Sequence, residues 1–110
     1  MSKGIEPATT YATAALVDYQ DGSIVSRVLL KASGGNVTLF AFDGGQALSE
    51  HSAPYDALVL VVEGEAEIRI AGDPHRVSAG ESILLPANIP HAVEAVQRFK
   101  MILTMIRAQA

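Results

Sequence analysis

The chain contains no cysteine among its 110 residues. This absence excludes disulfides, thiolate metal sites, iron–sulfur clusters and a cysteine nucleophile. Long hydrophobic runs are missing too, because the longest uninterrupted apolar stretch is residues 57–62. That stretch is far shorter than the ~20 residues that a membrane-spanning helix requires. We therefore expect neither thiol chemistry nor a membrane as a partner.

Positive charge is scarce. Eight Lys and Arg residues stand against twelve Asp and Glu, which gives a formal net charge of −4, and no basic run occurs. Sequence-independent nucleic-acid binding depends on clustered cations, so nucleic acid is not an expected partner. Residues 1–7 lack the apolar segment of a secretory signal, and we therefore expect a cytoplasmic protein.

The composition is that of one globular domain. Hydrophobic residues make up 49% of the chain and charged residues 18%. We expect an N-terminal arm with a short helix over residues 1–23, followed by a β-barrel domain over residues 24–110. The helix is predicted at residues 11–18, before the Asp21–Gly22 turn.

Beyond residue 23 the pattern is typical of strands. Aliphatic and charged residues alternate across residues 65–70, which predicts one buried and one wet face. The predicted buried residues are Ala66, Ile68 and Ile70. Seven or eight short strands at this spacing indicate a sandwich, barrel or jelly roll. The predicted strands are residues 24–30, 37–42, 58–62, 65–70, 82–85, 91–96 and 99–106. A short return strand is also expected at residues 75–77, and His75, which follows the turn at residues 71–74, is expected to be an exposed turn residue.

Two segments carry a resemblance to a known family. They read GQALSEHSAPYDALVLVVEG at residues 45–64 and GESILLPANIPH at residues 80–91. Their glycine, proline and histidine spacings resemble the two motifs of the cupin superfamily, and the likeness extends over about residues 36–106. The resemblance implies an all-β fold, the double-stranded β-helix or cupin jelly roll, with a pocket between two sheets. It also implies a homodimer.

The ligand slots of these motifs are only half filled here. The resemblance implies a metal held by three histidines and one glutamate, and His51 and His91 occupy two of the four slots. Ala53 and Ala57 stand in the other two, and a methyl group donates nothing to a metal. His51 and His91 are thus weak metal candidates. No cofactor is firmly expected beyond a weakly bound divalent transition metal.

The candidate pocket residues surround these slots. They are Gln46, His51, Tyr55, Asp56 and His91. His51 and His91 are also the candidate catalytic pair, because imidazoles titrate near neutral pH. Asp56, next to the empty glutamate slot, would orient the His51 ring or take part in proton transfer. Tyr55 would close the mouth, and Gln46 would complete a metal shell if one forms.

Three functions fit this pattern. The first is a binding module that holds a small organic ligand in a barrel with a depleted metal site. The second is an enzyme of the isomerase, lyase or dioxygenase type that acts on a small organic molecule by metal or acid–base chemistry. The third is a sensor or structural subunit. The chain also supports a homodimer, because strands 37–42 and 99–106 are apolar on both faces.

Overall fold

The structure, a computed structural model, describes residues 4–108. Within that range a single short helix is present, a 3-10 turn at Thr13–Leu16, and no helix is long and apolar enough to cross a membrane. Nine strands follow it. They are β1 (Ile24–Ala32), β2 (Gly35–Phe42), β3 (Ala47–His51), β4 (Tyr55–Glu63), β5 (Glu65–Ile70), β6 (Asp73–Ser78), β7 (Ser82–Leu85), β8 (His91–Glu94) and β9 (Phe99–Arg107).

The strands form two antiparallel sheets that pack face to face. The first has five strands in the order β1-β2-β9-β4-β7, and the second has four in the order β3-β8-β5-β6. This arrangement confirms the predicted all-β jelly roll. Strand β1 begins at Ile24, where the barrel domain was expected to start. The division of the chain at that point stays a prediction.

Two strands differ from the sequence-based expectation. Strand β3 was not among the predicted strands, because its side chains are mostly exposed and lack an apolar alternation. Strand β6 begins in what was predicted to be a turn. It accommodates Pro74 because it is an edge strand, where the missing N–H can face solvent. His75 is exposed as predicted and lies on β6 opposite Ile68, within the return strand expected at residues 75–77 and past the turn.

The main core lies between the two sheets. Phe42 and Phe99 stack at its centre, with ring centroids 4.5 Å apart, and both are fully buried. The predicted alternation of β5 is largely confirmed, since Ala66 and Ile68 are buried and Ile70 is half-buried. Glu65 and Glu67 on the other face are half-exposed and not fully exposed. Each pairs with an arginine, Arg76 and Arg69 respectively.

A second apolar cluster lies on the outer face of the five-stranded sheet. The N-terminal segment packs there, with Val17 buried against Leu29, Leu39 and Ala41. Lys100 is 7% exposed in this layer, where its ammonium donates to the Ala14 carbonyl at 2.6 Å. Strand β2 is therefore covered on both faces, as its two-sided apolar sequence predicts.

The helix predicted at residues 11–18 is reduced to one 3-10 turn. Ala12 precedes the turn and supplies no side-chain cap for the free N–H groups. Val17 ends the turn in extended conformation, with φ −142°, and buries its side chain on the sheet. Tertiary packing of this β-branched residue therefore overrides the weak helical preference of the segment.

Gly64 closes the first motif by a tight turn between β4 and β5. Its φ is +76°, in the left-handed region, and a Cβ atom built there would overlap the Arg98 carbonyl oxygen. Gly72, between β5 and β6, has φ +86° but has nothing within 4 Å of a built Cβ. Both glycines thus have a φ in the left-handed region, and only Gly64 also lies where a Cβ atom would overlap a neighbouring atom.

We expect Gly64→Ala to destabilise the protein more than Gly72→Ala. Gly72→Ala places a Cβ in the left-handed region, at a cost of about 1–2 kcal/mol. Gly64→Ala adds the overlap with the Arg98 carbonyl, so its free energy of unfolding should fall further. Urea denaturation of both variants measures the difference. Equal losses would show that close backbone approach contributes nothing at Gly64.

Candidate ligand site

His51 and His91 face each other at one end of the barrel. They are direct partners across the β3–β8 ladder, His51 as the last residue of β3 and His91 as the first of β8. Their ring centroids are 4.5 Å apart with an interplanar angle of 63°. The two histidines that the sequence places in separate motifs are therefore brought together. They form an imidazole pair, half-buried at His91 and exposed at His51.

Each imidazole is held by its own strand's backbone. His51 Nδ1 lies 2.9 Å from the Ser49 carbonyl oxygen, and His91 Nδ1 lies 3.3 Å from the Ile89 carbonyl oxygen. A carbonyl oxygen only accepts, so Nδ1 is the donor in both contacts. In the neutral ring the proton then resides on Nδ1 and the lone pair on Nε2. Nε2 is therefore the hydrogen-bond acceptor in both neutral rings.

The environment lowers the pKa of His91 below its ordinary value of 6.5. Burial is the main cause, because it disfavours the charged imidazolium. The nearby His51 lowers the pKa further, while the contact with the Ile89 carbonyl opposes the shift. His91 is consequently a neutral base at neutral pH.

Two short crossovers carry the histidines to this position. Residues 52–54 lead from His51 into β4, and residues 86–90 lead from β7 to His91. The crossovers are bonded to each other, since the Asn88 N–H donates to the Ala53 carbonyl at 2.8 Å. Asn88 has φ +65°, a left-handed conformation that asparagine tolerates better than most residues. Asn88 occupies the position at which the cupin motif has glycine, and it adopts the left-handed conformation that glycine readily adopts.

The other two motif slots hold methyl groups in the structure as in the sequence. Ala57 is 4% exposed, inside the core and between Leu85 and Met105 in the sheet register. Ala53 is half-buried in the first crossover. Within residues 4–108, no three His, Asp or Glu side chains converge in a way that could hold a metal ion. A donor set of two imidazole nitrogens does not fit the four-ligand metal centre that the motifs imply.

Tyr55 and Asp56 begin β4 beside the first crossover. Tyr55 is half-buried on the inner face of the sheet, the face of Ala57 and Val59. Asp56 is exposed, and its Oδ1 accepts from the Ala87 N–H at 2.9 Å. That bond ties the loop that carries His91 to the start of β4. A direct pocket role for Asp56 stays a prediction.

Gln46 lies at the far end of β3. Its N–H donates to the Asp43 carbonyl at 3.2 Å, and its carbonyl accepts from the Ala95 N–H at 2.9 Å. Five residues of extended chain separate it from His51, a span of roughly 16 Å. The structure does not bring Gln46 to the imidazole pair, because β3 runs between them.

Sequence reasoning missed Arg107, the last residue of β9. Arg107 pairs with Tyr55 across the β4–β9 ladder. Its Nη2 donates to the Tyr55 hydroxyl at 3.1 Å, and its guanidinium carbon lies 5.1 Å from the centre of the Tyr55 ring. The signal was available, since Arg107 continues the inward alternation of Phe99, Met101, Leu103 and Met105.

Seven partly buried hydrophobic residues pack against the buried core between the sheets. They are Ile24, Phe40, Leu48, Ile70, Ile83, Leu103 and Met105. Two of them lie next to the polar groups, because Ile70 is the register partner of His91 and Met105 is one alternation step before Arg107 on β9.

We expect the lowered pKa of His91 to make stability depend on pH below 6.5. Between the pKa of the folded state and 6.5, the unfolded chain binds more protons at this residue than the folded chain does. The free energy of unfolding should therefore fall as the pH drops through that window. His91→Asn should remove this dependence, and His75→Asn, at an exposed position on β6, should leave it.

Proton NMR titration of the imidazole resonances, with urea denaturation at each pH, measures both effects. His51→Asn should raise the His91 midpoint only part of the way towards 6.5, because burial is the larger cause. A His91 midpoint at or above 6.5 in the unmodified protein would contradict this account.

Comparison with known proteins gives the family. Residues 38–107 match the model of the cupin domain. The structure is similar to a conserved protein of unknown function from Streptococcus pyogenes, with 36% identity and a TM-score of 0.91 over 99% of this chain and 96% of that one. It is also similar to a cupin superfamily protein from Desulfitobacterium hafniense, with 25% identity and a TM-score of 0.88 over 99% of both chains.

A third solved structure is a cupin 2 conserved barrel domain protein from Leptotrichia buccalis, at 45% identity and a TM-score of 0.83. The likeness covers 86% of this chain and 46% of that protein, so this chain spans about half of its length. Among curated proteins, none matches. The motif spacing, the two-sheet jelly roll and the match over residues 38–107 agree: the chain belongs to the cupin superfamily.

Proposed function

We propose that this cupin barrel binds a small organic molecule at the His51–His91 end. The observation that carries the proposal is the imidazole pair itself, with ring centroids 4.5 Å apart, beside two motif slots that hold methyl groups. The scaffold of the motifs is intact while half of the metal ligands are gone. A site with two of the four metal ligands is better suited to binding an organic molecule than to holding a metal ion.

Apolar neighbours of the histidines favour an organic ligand over a bare ion. Ile70, the register partner of His91, and Met105, one step before Arg107, are half-buried, and burying apolar ligand surface against them is favourable. The imidazoles then act as the few polar anchors that orient the ligand. A divalent transition metal would bind weakly, because water must fill every position that the two imidazoles leave open.

A second candidate is an enzyme that uses the imidazole pair for proton transfer. Each Nδ1 is bonded to a backbone carbonyl, so each Nε2 is directed away as a candidate base. The lowered pKa of His91 keeps this base neutral at working pH. An isomerase or lyase reaction fits these two groups, whereas a metal-dependent dioxygenase requires a larger donor set than the two imidazoles provide.

We also propose a homodimer formed through the outer face of the five-stranded sheet. One row crosses all five strands in register as Leu30, Val37, Thr104, Leu58 and Leu84. Leu30 is 62% exposed and Leu84 is 55% exposed, and no member of the row is charged. Beside the row lies a shallow cavity of about 210 Å³ lined by Leu30, Val37 and Ile106, among others. A second copy of the same uncharged face would cover it symmetrically.

The ligand proposal predicts that a small organic compound perturbs both site histidines together. A panel of small acids, amides and alcohols is titrated against the protein while proton NMR follows the three histidines. A binding compound should shift His51 and His91 and leave His75 unchanged. His51→Asn with His91→Asn should weaken binding by at least about fivefold, because two hydrogen bonds between neutral groups contribute about 0.5–1.5 kcal/mol each.

Metal analysis of the same protein batch completes the test. After dialysis, protein purified without chelator should retain far less than one metal ion per chain. Stoichiometric metal would overturn the depleted-site proposal. A compound that shifts only His75, or a panel that shifts none of the three, would count against the binding site.

The dimer proposal predicts the mass of two 11.6-kDa chains by light scattering at micromolar concentration. Leu58→Asp with Leu84→Asp places two carboxylates in the centre of the exposed row and should give the single-chain mass. Val96→Asp is the matched control, because Val96 is 69% exposed but lies outside this sheet. A single-chain mass for the unmodified protein would refute the dimer.

A further inference from the structure

We infer that the ligand is a small organic carboxylate and that Arg107, hydrogen-bonded to Tyr55, binds its charged group. This inference rests on the proposed ligand site and adds the chemical class of the ligand. It starts from the position of Arg107 at the same end of the barrel as His51 and His91. Nothing in the family motifs singles out this residue, which lies beyond both of them.

The first step is the path of the chain. His51 and Tyr55 are separated by the crossover of residues 52–54, so their Cα atoms lie at most about 14 Å apart. The same crossover is bonded to the end of β9, because the Ala108 N–H donates to the Pro54 carbonyl at 3.0 Å. It is also bonded to the loop that carries His91, through Asn88. One short segment thus links the imidazole pair with the Tyr55–Arg107 pair.

The second step is the face of the sheet. Tyr55 has the same parity as Ala57, Val59 and Val61, which are 4%, 0% and 0% exposed between the sheets. Arg107 is the register partner of Tyr55, so it has the inward parity as well. The guanidinium therefore belongs to the inner face at the mouth, one alternation step outward from Met105.

The third step concerns the hydrogen bonds and ion pairs of the Arg107 guanidinium. One N–H group donates to the Tyr55 hydroxyl, and the guanidinium carbon lies over the Tyr55 ring, 5.1 Å from its centre. Among residues 4–108, the ion pairs formed by arginine use Arg69, Arg76 and Arg98, and none uses Arg107. Asp56, the nearest acidic residue in sequence to Tyr55, is already bonded to Ala87. Arg107 therefore presents further N–H donors that pair with no carboxylate of residues 4–108.

These features select the ligand class. A guanidinium oriented by a hydrogen bond and an aromatic ring is suited to bidentate hydrogen bonding with a carboxylate. The neighbouring apolar residues Met105 and Ile70 favour an organic body behind that group. The chain's net charge of −4 opposes anions of high charge, which favours a monocarboxylate over a phosphate. The Nε2 atoms of His51 and His91 are then available to the rest of the molecule.

The test compares two nearly isosteric probes, benzoate and benzamide, on the full chain. Binding is followed by the NMR shifts of His51 and His91 and by calorimetry at fixed ionic strength. We expect benzoate to bind at least about tenfold more tightly than benzamide, as is typical of a charge-assisted contact. Arg107→Gln should abolish this preference, and Arg107→Lys should restore only part of it, because lysine lacks the planar fork.

The control variant is Arg76→Gln, which removes the same charge from an exposed arginine on strand β6 of the other sheet. It should keep the full preference for benzoate, and thermal unfolding should show all three variants folded. A preference that survives in Arg107→Gln, or that falls equally in Arg76→Gln, would overturn the assignment.

The remaining outcomes separate this inference from the proposed function. If both probes shift the two histidines with equal affinity, the ligand site stands and the carboxylate inference fails. If inorganic phosphate competes as well as benzoate does, the site is a general anion site and the organic class is wrong. If no probe shifts either histidine, the proposed function fails together with the inference.

Discussion

Every other feature of this molecule depends on the need to cover a five-stranded sheet that is apolar on both faces. The four-stranded sheet covers the inner face and creates the main core around Phe42 and Phe99. The N-terminal segment covers part of the outer face, where Val17 packs on Leu39. On the rest of the outer face, Leu30, Leu58 and Leu84 are 62%, 45% and 55% exposed among residues 4–108. A dimer would satisfy the same constraint that folds the monomer.

The chemistry is confined to the strand ends by this packing. The space between the sheets is filled by close-packed side chains, which leaves polar groups room only where strands begin or end. His51 ends β3, His91 begins β8, Tyr55 begins β4 and Arg107 ends β9. A hydrogen bond from Asn88 to Ala53 joins the two crossovers, and one from Ala108 to Pro54 joins the first crossover to the end of β9, so backbone contacts fix these ends relative to one another.

The sequence was sufficient for the parts of the fold with strong local signals. The alternation of β5, the two-sided apolar pattern of β2 and the motif spacing predicted the jelly roll and the two histidines. The sequence was insufficient where tertiary contacts determine the local structure. The helix at residues 11–18 is lost because Val17 packs on the sheet, and β3 exists only through its pairing with β8. The alternation of β9 indicates that Arg107 faces inward, but its contact with Tyr55 joins residues 52 positions apart and was not predicted.

Strand β3 has a further consequence for access to the site. It is a five-residue edge strand with mostly exposed side chains, paired only with β8, and its register is irregular between Leu48 and His51. Short edge elements with few buried contacts open at a lower free energy than the core of a domain. Because His51 is the last residue of β3, such an opening would carry one imidazole away from the other. The site would therefore be assembled and taken apart by local folding of one strand, and entry of a ligand would be coupled to that equilibrium rather than to a hinged lid.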